Sequence, residues 1–181
     1  MRALVVYESM FGNTRDVAGA IAEGLKTRLE VELVEVGAVG TAIPDDVALL
    51  VVGGPTHAHG MTTPETRADA AGRAGERLVS RGIGIREWLA GLPAGTARPP
   101  TAVFDTRIKG PGFLWGSAAK SAQKLLGEAG LATIVPAESF LVGGPTGPLF
   151  DRLADGELDR ARRWGEELAG KVEARAGIGV G

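Results

Sequence analysis

Short apolar runs alternate along the chain with longer segments of helical periodicity. Residues 3–7 and 47–52 are almost wholly apolar and match short buried strands. In residues 13–29, by contrast, apolar side chains such as Val17 and Ile21 recur every four positions and form one face of a predicted helix. Apolar strands that alternate with helices are typical of a parallel sheet with helices on both faces. The pattern therefore predicts a doubly wound α/β fold.

The elements are predicted in the order β-α-β-β-α-β-α-β-α. The predicted strands are residues 3–7, 31–36, 47–52, 101–104 and a last strand, broken near Pro136, that combines 131–135 with 138–142. The predicted helices are residues 13–29, 85–92, 117–128 and 155–175, with a broken helical stretch over 65–82. The last helix is predicted to bury Leu158, Ala161, Trp164, Leu168 and Val172. No linker or repeat divides the chain, so we expect one domain over residues 1–176 and a flexible tail over 177–181.

Composition and charge exclude several classes of function. Lys and Arg number 20 against 22 Asp and Glu, and the net charge of −2 argues against a broad nucleic-acid or polybasic membrane surface. The chain has no cysteine, which excludes disulfides, thiol nucleophiles and cysteine-bound metal centres. The N-terminal apolar run ends at Glu8, where a signal peptide would continue, and residues 47–52 are too few to cross a bilayer. We therefore expect a cytoplasmic protein without a membrane segment.

Residues 8–14 lead from the first predicted strand directly into the first predicted helix. Such a turn gathers backbone N–H groups and the positive end of the helix dipole, which together favour an anion. Ser9 and Thr14 add hydroxyl donors, and Gly12 allows the backbone to approach the anion closely. The turn contains no lysine, which favours one terminal phosphate over a magnesium-bound triphosphate. The alternative is that Ser9 and Asn13 only cap the helix.

The residues of this turn carry a resemblance to a known family. Residues 7–14 read Tyr-Glu-Ser-Met-Phe-Gly-Asn-Thr and resemble the FMN phosphate loop of flavodoxins. Ser9, Gly12 and Thr14 match the family's pattern, whereas Phe11 stands where a hydroxyl side chain is common. The resemblance implies a flavodoxin-like five-stranded parallel sheet in the order 2-1-3-4-5, with FMN bound noncovalently beyond the carboxyl ends of the strands. The phosphate-binding residues that it implies are Ser9, Met10, Phe11, Gly12, Asn13 and Thr14.

A second loop, residues 54–64, is expected at the same edge of the sheet. It begins with Gly-Pro-Thr, which also resembles the end of the third strand in flavodoxins, and it contains both histidines of the chain. The residues expected beside the flavin ring are Pro55, Thr56, His57, Ala58, His59 and Gly60. A His-x-His metal site and a plain solvated loop are the alternatives for this segment.

A third loop, residues 105–117, combines polar, glycine and aromatic residues. Asp105, Thr106 and Arg107 are expected to contact the pyrimidine edge and the ribityl chain of the flavin. Phe113 is expected to stack on the flavin ring, which is flat and half apolar. Packing of Phe113 on the neighbouring helix is the alternative. We predict no catalytic side chain and no metal site.

Electron transfer is the function that these features favour. The flavin would carry electrons from a reductase to an acceptor enzyme, and the protein would supply binding and electrostatics. The near-neutral charge weakens this prediction, because carriers of this family are commonly acidic and are steered to basic partners. One alternative is an FMN-dependent NAD(P)H or quinone oxidoreductase, with residues 65–82 as a substrate lid. The other is a flavodoxin-like interaction module without a cofactor.

Overall fold

The computed structural model describes residues 1–57, 60–93, 97–109, 117–143 and 152–178. The strands are β1 (Arg2–Tyr7), β2 (Glu30–Glu35), β3 (Val47–Pro55), β4 (Thr101–Ile108) and β5 (Glu138–Val142). The helices are α1 (Asn13–Leu25), α2 (Pro64–Ala74), α3 (Ile85–Ala90), α4 (Ala118–Glu128) and α5 (Glu157–Ile178). All four strand pairs are parallel, in the spatial order β2-β1-β3-β4-β5. The predicted fold class and strand order are confirmed.

Apolar side chains cover both faces of the sheet, because successive residues of a strand point to opposite sides. On one face, Val5, Leu49 and Phe104 pack against α1 and α5. On the other face, Val6 and Leu50 pack against α3 and α4. The strands are therefore buried on both sides, which is why they read as continuous apolar runs.

Strand β4 is four residues longer than the predicted strand 101–104. Asp105, Thr106 and Arg107 consequently lie in a strand and not in a loop. All three residues pair with β5, and Asp105 and Thr106 also pair with β3. This pairing satisfies the peptide groups of a polar segment, so the strand continues where the apolar pattern stops.

Other predicted elements are shorter in the structure, among them the helix predicted over 85–92, which ends at Ala90. Helix α1 ends at Leu25 and not at 29. The stretch 131–135 is not a strand, and within it only Thr133 forms an isolated bridge, to Thr101. The last strand begins after Pro136, whose ring nitrogen has no hydrogen to donate to a ladder.

Helix α5 is longer than predicted and includes residues 177 and 178, which were expected in the tail. Residues 179–181 lie outside the described part, and the single domain over 1–176 stays a prediction. The predicted core residues Ala161, Trp164, Leu168 and Val172 are buried. Leu158 is instead 45% exposed, because the buried stripe of the helix begins one turn later. Across the described ranges, no helix is long and apolar enough to cross a membrane.

Helices α1 and α5 approach each other at two glycines. A methyl group on Gly165 would lie far inside van der Waals distance of the Ile21 carbonyl oxygen. One on Gly24 would meet the Arg162 carbonyl oxygen in the same way. The close approach of the two helices therefore requires residues without side chains at both positions.

Gly165→Ala is expected to destabilise the fold by about 1–3 kcal/mol, because α5 must move away from α1 to admit a methyl group. Gly170→Ala is the matched control in the same helix, since its methyl group would meet nothing within 4 Å. Alanine there should even stabilise the helix, by up to about 1 kcal/mol. Urea unfolding measures both variants, and equal stabilities would contradict the close contact.

Candidate functional site

The segment between β1 and α1, residues 8–14, forms a tight turn that we call the β1–α1 turn. Gly12 occupies the N-cap position with a φ of 102°, a left-handed conformation that glycine adopts without strain. Its N–H donates to Ser9 Oγ at 3.2 Å. Gly12 itself has no side chain that could cap the helix. The start of α1 thus keeps the character of an anion site.

Two buried threonines join the start of α1 to the end of β4. The hydroxyl oxygens of Thr14 and Thr106 are 2.7 Å apart, and neither side chain is more than 4% exposed. A hydroxyl can accept one hydrogen bond and still donate another. When Thr106 donates to Thr14, the Thr14 proton is available to an anion in the turn.

Val79 and Ser80, which follow α2 in the chain, form hydrogen bonds to the backbone of the β1–α1 turn. The Ser80 N–H donates to the Ser9 carbonyl at 2.8 Å, and the Val79 N–H donates to the Met10 carbonyl at 3.1 Å. In return, the Ser9 N–H donates to Ser80 Oγ at 3.0 Å. Sequence reasoning missed these two residues, because their partners are about 70 positions away and no local motif marks them.

The stretch 65–82 is more regular than predicted. Helix α2 covers its first part, and a 3-10 turn at Gly75–Arg77 follows. The Thr63 side chain accepts from the Thr66 N–H at 3.3 Å, and the Thr66 side chain accepts from the Thr63 N–H at 2.8 Å. This reciprocal capping box, with a proline directly after Thr63, sets the start of the helix.

The loop after β3 contacts the β1–α1 turn through two rings. The rings of Phe11 and His57 stack with centroids 6.4 Å apart and planes 23° apart. His57 and Gly60 exchange two backbone hydrogen bonds of 2.9 and 3.0 Å, which close the loop between them. Burial lowers the pKa of His57, the charge of Arg73 lowers it further, and Asp69 opposes this. The imidazole is therefore neutral at neutral pH, and His57 adds no positive charge there.

Ala58 and His59 lie outside the described residues, as does Phe113 in the stretch 110–116. The described residues bring no three histidine or carboxylate side chains together in a way that could hold a metal ion.

Asp105 connects β4 to the loop after β3 and to the start of α4. Its Oδ2 atom accepts from Thr56 Oγ1 at 2.9 Å, from Ser117 Oγ at 2.7 Å and from the Ala119 N–H at 3.0 Å. Thr56 Oγ1 itself accepts from the Ala118 N–H at 2.9 Å. The other carboxylate oxygen, Oδ1, is buried and has no hydrogen-bond partner among the described residues. A buried oxygen in this state can accept a donor from a ligand.

Arg107 follows Asp105 by two residues in β4, so the two side chains lie on the same face of the sheet. Its Nε atom is also buried without a partner in the described ranges. Two polar groups of the predicted flavin site, one acceptor and one donor, are thus unsatisfied by the described chain.

The carboxyl ends of β1, β3 and β4 bring most of the predicted site residues to one edge of the sheet. These are Ser9, Met10, Phe11, Gly12, Asn13, Thr14, Pro55, Thr56, His57, Gly60, Asp105, Thr106 and Arg107. This edge includes the switch between strands 1 and 3, where ligands bind in sheets of this topology.

Comparison with known proteins agrees with this arrangement. Residues 5–86, from β1 into α3, match the family model described as Flavodoxin. The chain is therefore flavodoxin-like: residues 5–86 match the family in sequence, and the sheet has the flavodoxin strand order. A flavodoxin from the domain Archaea is 23% identical, covers 96% of this chain and 99% of its own, and superposes with a TM-score of 0.62. The match to the family model includes the β1–α1 turn and the loop after β3.

Other flavodoxins share the fold at lower identity. A Streptococcus pneumoniae flavodoxin is 15% identical over 94% of this chain and 99% of its own, with a TM-score of 0.62. The two-electron reduced flavodoxin of Megasphaera elsdenii is 17% identical over 93% of this chain and 98% of its own, with a TM-score of 0.57. No curated protein sequence matches the chain.

FMN is the cofactor of flavodoxins, so the predicted cofactor is confirmed at the level of the family. The residues of this chain also fit an anionic, hydrogen-bonding ligand. The left-handed Gly12 opens the β1–α1 turn to an anion, and the unpartnered Oδ1 of Asp105 lies buried at the end of β4.

Proposed function

We propose that the chain binds FMN noncovalently at this edge of the sheet and carries electrons from a reductase to an acceptor enzyme in the cytoplasm. The observation that carries the proposal is the β1–α1 turn, with its left-handed Gly12 and the buried hydroxyl groups of Ser9 and Thr14. Backbone N–H groups and a helix start bind a terminal phosphate in such a turn. When bound, FMN supplies the redox chemistry.

The phosphate contacts in this proposal come from both backbone and side chains. The hydroxyl groups of Ser9 and Thr14 donate to the phosphate, and the backbone N–H groups of Met10, Phe11, Gly12 and Asn13 surround it. Phe11 offers no hydroxyl group, so its contribution is its N–H alone. The bonds from Val79 and Ser80 hold the carbonyl groups of the turn in place before the phosphate arrives.

The ring and ribityl contacts come from the other two segments. Pro55, Thr56, His57, Ala58, His59 and Gly60 border the ring on one side, and Phe113 stacks on it from the third loop. Asp105 accepts a hydrogen bond from a flavin hydroxyl or N–H, while Thr106 and Arg107 add polar contacts. The unpartnered Oδ1 of Asp105 and Nε of Arg107 support this assignment.

A turnover assay separates the carrier from the oxidoreductase of the same fold. The FMN-loaded chain is mixed with NADPH and cytochrome c, with and without an NADPH-dependent flavodoxin reductase, and NADPH absorbance is followed. A carrier gives slow NADPH loss alone and rapid cytochrome c reduction only when the reductase is added. The same mixture with the unloaded chain is the control. Rapid NADPH oxidation by the chain alone would contradict the carrier.

The net charge of −2 is the observation that keeps the oxidoreductase as second candidate. A nearly neutral surface gives little long-range attraction to a basic partner protein, whereas a small substrate needs no such steering.

A further inference from the structure

Glu8 is a buried acid at the point where β1 enters the β1–α1 turn. It is only 1% exposed, whereas glutamate side chains are rarely buried to this extent. Thr62 Oγ1 donates to its Oε1 at 2.5 Å, and the Ile85 N–H donates to its Oε2 at 2.9 Å. Glu8 therefore ties the β1–α1 turn to the segment after β3 and to the start of α3.

The charged groups around Glu8 are engaged with one another. Arg67, on α2, donates to Thr62 Oγ1 at 3.1 Å and pairs with Glu87, on α3, at 3.1 Å. Arg86, also on α3, donates to the carbonyl groups of residues 61 and 62 at 3.3 Å. Within the described ranges, neither arginine hydrogen-bonds to the Glu8 carboxyl group. The positive charge of Arg67 favours the ionised form of Glu8, and the negative charge of Glu87 disfavours it.

The uncharged acid fits the same geometry as the carboxylate. Its carbonyl oxygen can accept from the Ile85 N–H, while its O–H donates to Thr62 Oγ1, so the hydrogen bond between Thr62 and Glu8 remains but its direction reverses. Burial raises the pKa of Glu8, although the hydrogen bonds from Thr62 and Ile85 and the charge of Arg67 lower it in part. A proton can therefore reside on Glu8 without breaking either connection.

We propose that Glu8 is a positioning residue of the flavin site that takes up a proton when FMN binds. This inference rests on the proposed function, because it requires the FMN phosphate in the β1–α1 turn. Glu8 directly precedes Ser9, so a charged carboxylate would repel the phosphate through a water-excluded interior. The uncharged acid keeps its ties to Thr62 and Ile85 and removes this repulsion.

Proton uptake and phosphate binding favour each other, so each must strengthen the other by the same factor. FMN affinity should therefore fall as pH rises through the range in which Glu8 ionises. Riboflavin has no phosphate, so its affinity should not follow this dependence.

Glu8→Gln tests the proposal, because the amide can hydrogen-bond to both partners in the same directions as the uncharged acid but cannot ionise. Its oxygen accepts from the Ile85 N–H, and its NH₂ group donates to Thr62. The dissociation constants of FMN and riboflavin are measured for both proteins from mildly acidic to mildly alkaline pH by flavin fluorescence. Ionisation of the FMN phosphate affects both proteins alike and cancels in their ratio. Glu23→Gln, which removes an exposed carboxylate of α1, is the matched control.

We expect wild type and Glu8→Gln to bind FMN equally at the acid end, and wild type to bind about threefold or more weakly at the alkaline end. The riboflavin ratio and the Glu23→Gln ratio should stay constant. An FMN ratio that does not change with pH would overturn the role of Glu8 while leaving the proposed function standing. If wild type binds no FMN at any pH, both proposals are overturned.

If Glu8→Gln does not fold, a second measurement on wild type still tests the proposal. The heat of FMN binding to wild type is measured in two buffers of different ionisation enthalpy, which gives the number of protons taken up. Above the pH at which free FMN has lost its second phosphate proton, net uptake that is absent with riboflavin supports the proposal, and no uptake overturns it.

Discussion

Replacing Thr14 by Val is expected to weaken FMN binding by about 10- to 150-fold and to leave riboflavin binding nearly unchanged. The hydroxyl group of Thr14 lies in the first turn of α1, where Thr106 is positioned to donate to it. A hydrogen bond to a charged phosphate contributes about 1.5–3 kcal/mol, which corresponds to that range of affinity. Fluorescence titration of the flavin-free protein with each flavin measures the effect.

Thr27→Val is the matched control for this variant. Thr27 follows α1 at its other end, where its hydroxyl donates to the Gly24 carbonyl at 2.7 Å, so its loss should not change either affinity. If Thr14→Val weakens FMN and riboflavin by the same factor, the phosphate does not lie at the start of α1.

Replacing Asp105 by Asn is expected to weaken FMN and riboflavin alike, each by about 10-fold or more. The three donors on Oδ2 require an acceptor, so the amide oxygen of Asn must take that place. The NH₂ group then occupies the position of Oδ1 and cannot accept a hydrogen bond from the ligand. Because riboflavin shares the ring and ribityl chain with FMN, both flavins lose this contact.

Asp159→Asn, an exposed change on α5 with the same loss of charge, should bind both flavins like wild type. Urea unfolding shows whether Asp105→Asn still folds with wild-type cooperativity. Unchanged affinity for both flavins in a folded Asp105→Asn protein would remove Asp105 from the site. A loss confined to FMN would instead assign it to the phosphate.

The strands and helices of the fold could be predicted because each one is marked by the pattern of apolar residues within its own segment. Each buried strand is a continuous apolar run, and α1 shows its four-residue repeat over Val17, Ile21 and Leu25, all of which are buried. The β1–α1 turn could be found for the same reason, since its residues are contiguous. Its backbone conformation at Gly12 also follows from a residue type that suits a positive φ.

The rest depends on contacts between distant positions. Ser80 meets Ser9 across 71 positions, and Thr62 meets Glu8 across 54, so neither partner can be recognised from its neighbours in the sequence. The extension of β4 through Asp105 was missed because its peptide groups are satisfied by strands on both sides, whatever the side chains. Leu158 follows the apolar repeat of α5 but precedes the part of the helix that is buried.

Titration of the flavin-free protein with FMN and with riboflavin tests the central claim most directly. Flavin fluorescence and the visible spectrum report binding, and the titration end point gives the stoichiometry. The proposed site predicts one FMN bound per chain, with riboflavin bound more weakly because it lacks the phosphate held by Ser9, Thr14 and the start of α1. Failure to bind FMN, or equal affinity for the two flavins, would contradict the account.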